Sequence, residues 1–268
     1  DSVSVFDAVT RTRLAETPVG TAPRSLAIAP DGRVWVTNVE SSSVSILSPS
    51  TLAVVQTLTL ARGARPFGVV FDPDGTDGWI ACEGTGILLR MNPSTGAQTG
   101  SLNVGLNARH LSVLADSSRV LVTRFVTPPL PGENTASVST PDTAGAQVLS
   151  ILTSTLTVEK TSILLHSTRP DNLSIGRGIP NYLGPAIVSP DGLTAWVPSK
   201  QDNIKRGMLR DGFQLTHDQT VRSIASRLTL VNNVPANTDD MLGRVDFDNA
   251  GIASNGSFER TGLYLFTA

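Results

Sequence analysis

The sequence has 268 residues, a formal net charge of −2 and 16% charged residues. That is enough chain for one substantial core, and too little basic charge for a nucleic-acid footprint or a basic membrane surface. No apolar run approaches the roughly 18 residues of a spanning helix, and the single cysteine, Cys82, excludes both an internal disulfide framework and a cysteine-based metal cluster.

Along the chain, Ser2–Asp7 (SVSVFD) alternates with period two and predicts a strand, and Thr10–Pro18 predicts its partner. The chain starts at Asp1 with no Met and no signal-like segment, which reads as a processed or excised piece. Gly20–Asn38 (GTAPRSLAIAPDGRVWVTN) follows as strand, turn and strand. Pro30-Asp31-Gly32 is its turn: Pro presets φ, Asp bonds its own backbone, and Gly takes the φ > 0 position. Val34–Thr37 is β-branched and aromatic, which suits a pleated surface. Ser41–Leu47 and Thr51–Leu60 then repeat the first two strands. The whole unit returns at 63–84 (GARPFGVVFDPDGTDGWIACEG), at 105–124 (GLNARHLSVLADSSRVLVTR), at 183–199 (LGPAIVSPDGLTAWVPS) and more weakly at 254–268. Cys82 falls in the apolar-flanked WIACEG stretch and is expected to be a buried, inert thiol.

Pro30 to Pro73 is 43 residues, and Pro73 to its counterpart Ala115 is 42. A period near 42 with four short strands per unit predicts an all-β fold, a β-propeller of four-stranded antiparallel blades, with almost no helix. A β-sandwich with coincidental turn spacing is the competing reading. Five inner-strand units with one blade split between the chain ends would give five blades. A piece cut from a larger ring, ending inside the strand pattern of Leu263–Ala268, is the other reading, and both stay open. Trp35, Trp79 and Trp196 recur on the second strand of their units and are expected to pack between blades.

The tetrapeptides Trp35-Val36-Thr37-Asn38 and Leu121-Val122-Thr123-Arg124, with SVSIL strands following the turns, resemble the YVTN-type propeller repeats of bacterial surface and extracytoplasmic proteins. That resemblance implies an exported, periplasmic or cell-surface protein. It specifies architecture and leaves the activity open, because propellers host many unrelated functions. The insertions and the late LTHDQTVRSIAS segment are also similar to larger bacterial proteins in which a propeller precedes a c-type haem domain. No Cys-x-x-Cys-His occurs here, so this chain cannot attach such a haem itself.

One propeller domain over 1–268 is expected, with loop insertions at 125–145, 166–182 and 200–226. The first is rich in proline. The second carries Arg169, Asp171, Asn172 and Arg177 among glycines. The third contains Thr216-His217-Asp218-Gln219, a sequence able to cap a short helix near Thr216–Ser226. Such loops on a rigid scaffold are where function concentrates, although plain loop decoration is the competing reading.

Aligned by their turns, Arg24, Phe67 and Arg109 share one position at the start of the inner strand, with Arg65 two residues ahead of it in its own unit. Inner-strand entries ring a propeller's channel. Arg24, Arg65, Arg109 and His110, with Arg177 and Tyr182 from the second insertion, are therefore the candidate ligand-binding residues. Convergent guanidiniums favour a carboxylate or phosphate, which the planar fork binds bidentately. The alternative is that each arginine pairs with an acid of a neighbouring blade. His110, His166 and His217 show no helical i, i+4 spacing, and Asp239, Asp240, Asp246 and Asp248 form no calcium loop, so neither a metal nor another cofactor is assigned.

No Ser-His-Asp spacing, Gly-x-Ser-x-Gly or P-loop is present. The leading expectation is a non-enzymatic extracytoplasmic propeller that binds a partner protein or an anionic ligand at the channel face, without nucleic acid or a membrane span. A hydrolase of the propeller lactonase type, and the propeller portion of a haem-bearing oxidoreductase, are the alternatives.

Overall fold

The computed structural model describes residues 1–132, 139–169, 177–203, 209–210, 213–214, 221–247, 253–259 and 264–267. Every regular element among them is a strand, as the repeat predicts. The chain divides into two compact units: Asp1–Ser118 with Thr153–Leu156, and Arg119–Leu152 with Thr157–Ala268.

The first unit opens with β1 (Ser2–Phe6) and β2 (Arg13–Pro18), which form a two-stranded sheet. Then come β3 (Pro23–Ile28), β4 (Val34–Asn38), β5 (Ser43–Leu47) and β6 (Val54–Thr59), an antiparallel meander. The meander repeats as β7 (Pro66–Phe71), β8 (Gly78–Cys82), β9 (Ile87–Met91) and β10 (Gln98–Asn103), and β11 (Ala108–Val113) follows. The predicted register is visible in the backbone. The third turn residue has positive φ in the first four repeats: Gly32, Gly75 and Ser117 here, Gly192 in the second unit. The residue eight before each turn's first position does too: Ala22, Arg65 and Asn107 here, Tyr182 there. A left-handed backbone at a side-chain-bearing residue costs free energy, so tertiary packing holds it.

Between the two complete sheets lies a core of Trp35, Val44, Ile46, Val69, Ile80, Cys82, Leu89 and Met91. Trp35 meets Phe71 edge-on, with ring centroids 5.3 Å apart. Cys82 sits in this core, and burial pushes its thiol up to about 12, so it is inert as expected. The inner strands approach closely. Thr37 Oγ1 on β4 donates to the Phe67 carbonyl at 2.6 Å. A Cβ on Gly68 would lie 2.5 Å from the Arg109 carbonyl, so only glycine lets β7 and β11 come this near. Trp35 and Trp79 are fully buried, whereas Trp196 is only half-buried, with the Arg227 guanidinium 5.8 Å above its ring. The expectation of three equivalent buried tryptophans therefore holds for two.

The second unit carries β12 (Arg119–Arg124), β13 (Ala146–Leu152) and β14 (Thr157–Leu164), paired in that order. After β15 (Ile179–Asn181) and β16 (Ile187–Val188) comes β17 (Thr194–Asp202). The short β18 (Leu209–Arg210) and β19 (Phe213–Gln214) pair with each other. β20 (Val221–Val231) then pairs with β17 along its whole length, from Thr194↔Thr229 to Asp202↔Val221. β21 (Val234–Pro235) and β22 (Val245–Asp246) attach to β20, and β23 (Gly256–Phe258) pairs with β24 (Leu265–Thr267).

This corrects the reading of Thr216–Ser226 as a short helix. Val221–Ser226 is strand, because its near-continuous burial against β17 outweighs the capping signal, and Thr216–Gln219 lie outside the described residues. The third insertion is accordingly narrower than 200–226, since both its ends belong to paired strands. The first insertion forms no strand among its described residues, and it is anchored where Leu130 packs with Ile179 and Ala144.

Candidate functional site

Arg24, Phe67 and Arg109 are each the second residue of their strand, β3, β7 and β11, as the turn alignment predicts. Their side chains have diverged. Arg24 is exposed and makes no hydrogen bond or ion pair among the described residues. The Arg109 guanidinium forks onto Glu83 Oε1 through Nε and Nη2, and lies 4.6 Å from the Phe67 ring centroid. His110 meets the same ring edge-on at 5.1 Å. Burial, and secondarily the Arg109 charge, lower the His110 pKa to about 4, so the imidazole is neutral at physiological pH. Arg65 donates to Glu40 Oε1 at 2.8 Å, and both side chains are about half exposed.

Two of the three arginines are thus occupied by carboxylates of the preceding sheet. Sequence reasoning did not pair Glu40 and Glu83 with them, although each follows the second strand of its unit by one or two residues. Beside Arg65 opens a concavity of about 440 Å³, lined by Glu40, Ser41, Leu60, Arg62 and Gly63 among others. Arg62 is exposed, with no ion pair among the described residues.

Arg177 and Tyr182 belong to the second unit. Arg177 is half-buried and precedes Gly178, whose backbone N–H and carbonyl both bond to Ser167. Tyr182 stacks on Phe125, with centroids 4.6 Å apart and planes 10° apart, and Lys200 Nζ sits 3.9 Å from its centroid. Lys200 in turn pairs with Asp202 at 3.0 Å. Thr127 Oγ1 donates to the Pro180 carbonyl at 2.6 Å and Asn181 Nδ2 to Asp202 at 2.8 Å, tying the proline-rich loop to the start of the next sheet. Asp171 and Asn172 lie outside the described residues.

The acidic residues near the fifth unit are held by arginines. Asp246 takes Arg222 Nε at 2.9 Å, Asp239 takes Arg244, and Asp240 takes Arg227. Arg222 is buried, so its pairing with Asp246 is what makes the charge tolerable there. Among the described residues no group of three or more His, Cys, Asp or Glu could hold a metal, and His217 and Asp248 lie outside them. Nor is any helix among them long and apolar enough to cross a membrane.

The sheets and their repeated register define a β-propeller fold, and solved structures agree. Hydrazine synthase of Kuenenia stuttgartiensis superposes with a TM-score of 0.75 at 17% identity, over 99% of this chain and 67% of that one. A putative 6-phosphogluconolactonase of Bacteroides uniformis gives 0.64 at 15%, over 100% and 70%. The Pan2 WD40 domain of Neurospora crassa gives 0.60 at 10%, over 99% and 65%. At such identities the likeness is one of fold. No family model and no curated protein sequence matches the chain.

Proposed function

We propose that this chain is a binding propeller of the YVTN-repeat type, working outside the cytoplasm. It engages an anionic group of a small ligand or partner protein where the inner strands begin. The observation that carries this reading is Arg24. It holds the strand position whose counterpart Arg109 is clamped by Glu83, yet it pairs with no acid among the described residues. A guanidinium at a repeated channel position with no internal partner is available to a carboxylate or phosphate. Arg65 and Arg109 supply positive charge already shared with acids, and neutral His110 offers hydrogen bonding without charge. In the second unit, Arg177 is a separate candidate cation, and the Tyr182 ring is occupied by Phe125 and Lys200. The extracytoplasmic location rests on the likeness of Trp35–Asn38 to the YVTN repeat.

Titration of orthophosphate and of acetate at low ionic strength, followed by calorimetry, tests the reading. A charge-assisted hydrogen bond contributes about 1.5–3 kcal/mol, so Arg24→Ala should weaken binding roughly ten- to a hundredfold while leaving the melting temperature unchanged. Added salt should weaken the wild-type binding. If neither anion binds the wild type, or if Arg24→Ala binds as tightly, the anion site is wrong and the arginines are structural.

A second reading comes from the likeness to a putative 6-phosphogluconolactonase and to hydrazine synthase: a lactonase-type hydrolase, or the propeller portion of an oxidoreductase. Turnover of a phosphorylated sugar lactone by the purified chain would favour the hydrolase.

A further inference from the structure

We infer that the connector between β6 and β7 builds a binding site for a small apolar monocarboxylate, whose ring or short chain fills a cavity over Cys82 and whose carboxylate meets Arg62.

The connector is residues 60–65, whereas β2 joins β3 through residues 19–22 and β10 joins β11 through residues 104–107. It starts alike in both meanders: the Leu60 N–H donates to the Ser42 carbonyl, and the Val104 N–H to the Gly86 carbonyl. The additional length is taken up in a tight turn. The Ala64 N–H donates to the Ala61 carbonyl, and Gly63 is left-handed at φ 76°. The far end is tied down where the Glu83 N–H donates to the Arg65 carbonyl and the Gly84 N–H to the Ala64 carbonyl. A site walled by this turn is therefore pre-organised, so little ordering cost accompanies binding.

The turn has two unlike sides. On one, a cavity of about 190 Å³ lies between the end of β6 and β9. Ala64, Cys82 and Leu89, all buried, form its floor, and Leu60 and Ile87 its walls. Its polar lining, Thr59, Thr85 and Gln98, is exposed and marks the mouth. A floor of this kind holds water poorly and apolar groups well; an apolar cavity of about 150 Å³ takes benzene. The space here admits one such ring or a branched chain of comparable size. On the other side, Thr59 and Leu60 also line the concavity beside Arg65. There the Arg65 charge is offset by Glu40, while Arg62 is exposed with no ion pair among the described residues. An apolar cavity and an available guanidinium thus meet across Leu60. That combination selects an acid with an apolar body. A neutral hydrocarbon would leave Arg62 unused, and a bare anion would leave the cavity empty. Arg24 takes no part.

The probe is 3-phenylpropanoate, added to the whole chain at low ionic strength and followed by methyl NMR. The Leu60, Ala64, Ile87 and Leu89 methyl signals should shift and saturate together, with nuclear Overhauser contacts to the phenyl ring. Acetate should leave them in place, and 3-phenylpropanol should bind about fivefold more weakly or worse. Arg62→Ala should weaken the acid to the level of the alcohol, and added salt should do the same to wild type. Ala61→Phe, at an exposed position on the lining, should abolish binding. Arg24→Ala should bind the acid as wild type does, which separates this site from an anion site at Arg24. The inference fails if those methyl signals do not saturate, or if Ala61→Phe binds as wild type does. It fails equally if Arg62→Ala and the alcohol both match the wild-type affinity for the acid. Loss of the shifts in Arg24→Ala would also overturn it, by placing the acid at the strand entries.

Discussion

Asp72 offers the most exacting test of the packing around β7 and β8. It is buried, and one carboxylate oxygen accepts from Trp79 Nε1 at 2.6 Å. Burial raises its pKa from 3.8 to about 6; the indole hydrogen bond opposes that rise and the nearby Asp74 and Asp77 charges add to it. Between those two values the folded chain binds more protons at this site than the unfolded chain does. Stability from Asp72 is therefore fully present below pH 3.8 and is lost as pH rises through about 6. Each unit is about 1.4 kcal/mol, so the loss is of order 2–3 kcal/mol. Asp72→Asn keeps an acceptor for Trp79 and removes the titration. Urea unfolding followed by tryptophan fluorescence from pH 4 to pH 7.5 should give wild type and Asp72→Asn similar stability at the acid end. The variant should be more stable by about 2 kcal/mol or more at the neutral end. Parallel stability curves across that range would refute the assignment of a costly buried carboxylate.

Three further outcomes are expected. Trp79→Phe strands the Asp72 carboxylate and should cost about 1.5–3 kcal/mol more, at neutral pH, than Trp35→Phe, whose indole N–H has no hydrogen-bond partner to lose; equal losses in urea unfolding would contradict this. Gly68→Ala should destabilise by about 1–3 kcal/mol through the clash with the Arg109 carbonyl, read as a lowered urea midpoint at unchanged slope. The His110 ring-proton shifts should stay flat from pH 8 to pH 5.5 and move only near pH 4, with Arg109→Gln shifting the titration upward; a titration near 6.5 in wild type would show an exposed imidazole.

Much of the fold was legible because the repeat constrains the backbone. A Pro-Asp-Gly turn and a strand of β-branched residues recur at nearly fixed spacing, and the left-handed residues fall where that spacing requires. Ser117 shows that the position, more than glycine itself, is what repeats. The second unit was less legible. Its insertions lengthen β17 and β20 well past the repeat's usual strands, and the capping signal at Thr216 said nothing of the long-range pairing that makes Val221–Ser226 a strand. The candidate site was legible as positions and opaque as partners. Alignment found the shared place of Arg24 and Arg109, but an ion pair between sheets depends on which loop residue of the neighbour reaches across, and no periodicity encodes that.

The same left-handed position carries different side-chain chemistry in the two units. Arg65 and Tyr182 share a backbone conformation, with φ of 50° and 53°. In the first unit the residue there meets Glu40, in the loop after β4; in the second it stacks on Phe125, just after β12. One backbone position thus carries an ion pair in one unit and an aromatic stack beside a lysine in the other. The exposed ion pair contributes little to stability, about 0–1 kcal/mol, and is weakened by salt. The stack buries apolar surface and holds whatever the ionic strength. A ligand that exchanges for Glu40 at Arg65 displaces a weak partner, whereas one that approaches Tyr182 finds both ring faces taken, by Phe125 and Lys200. Within the first unit, Arg24 and Arg62 are exposed with no ion pair among the described residues, and the pair of Arg65 is itself exposed. Arg109, forked onto Glu83 and leaning on Phe67, offers a charge already shared with that acid.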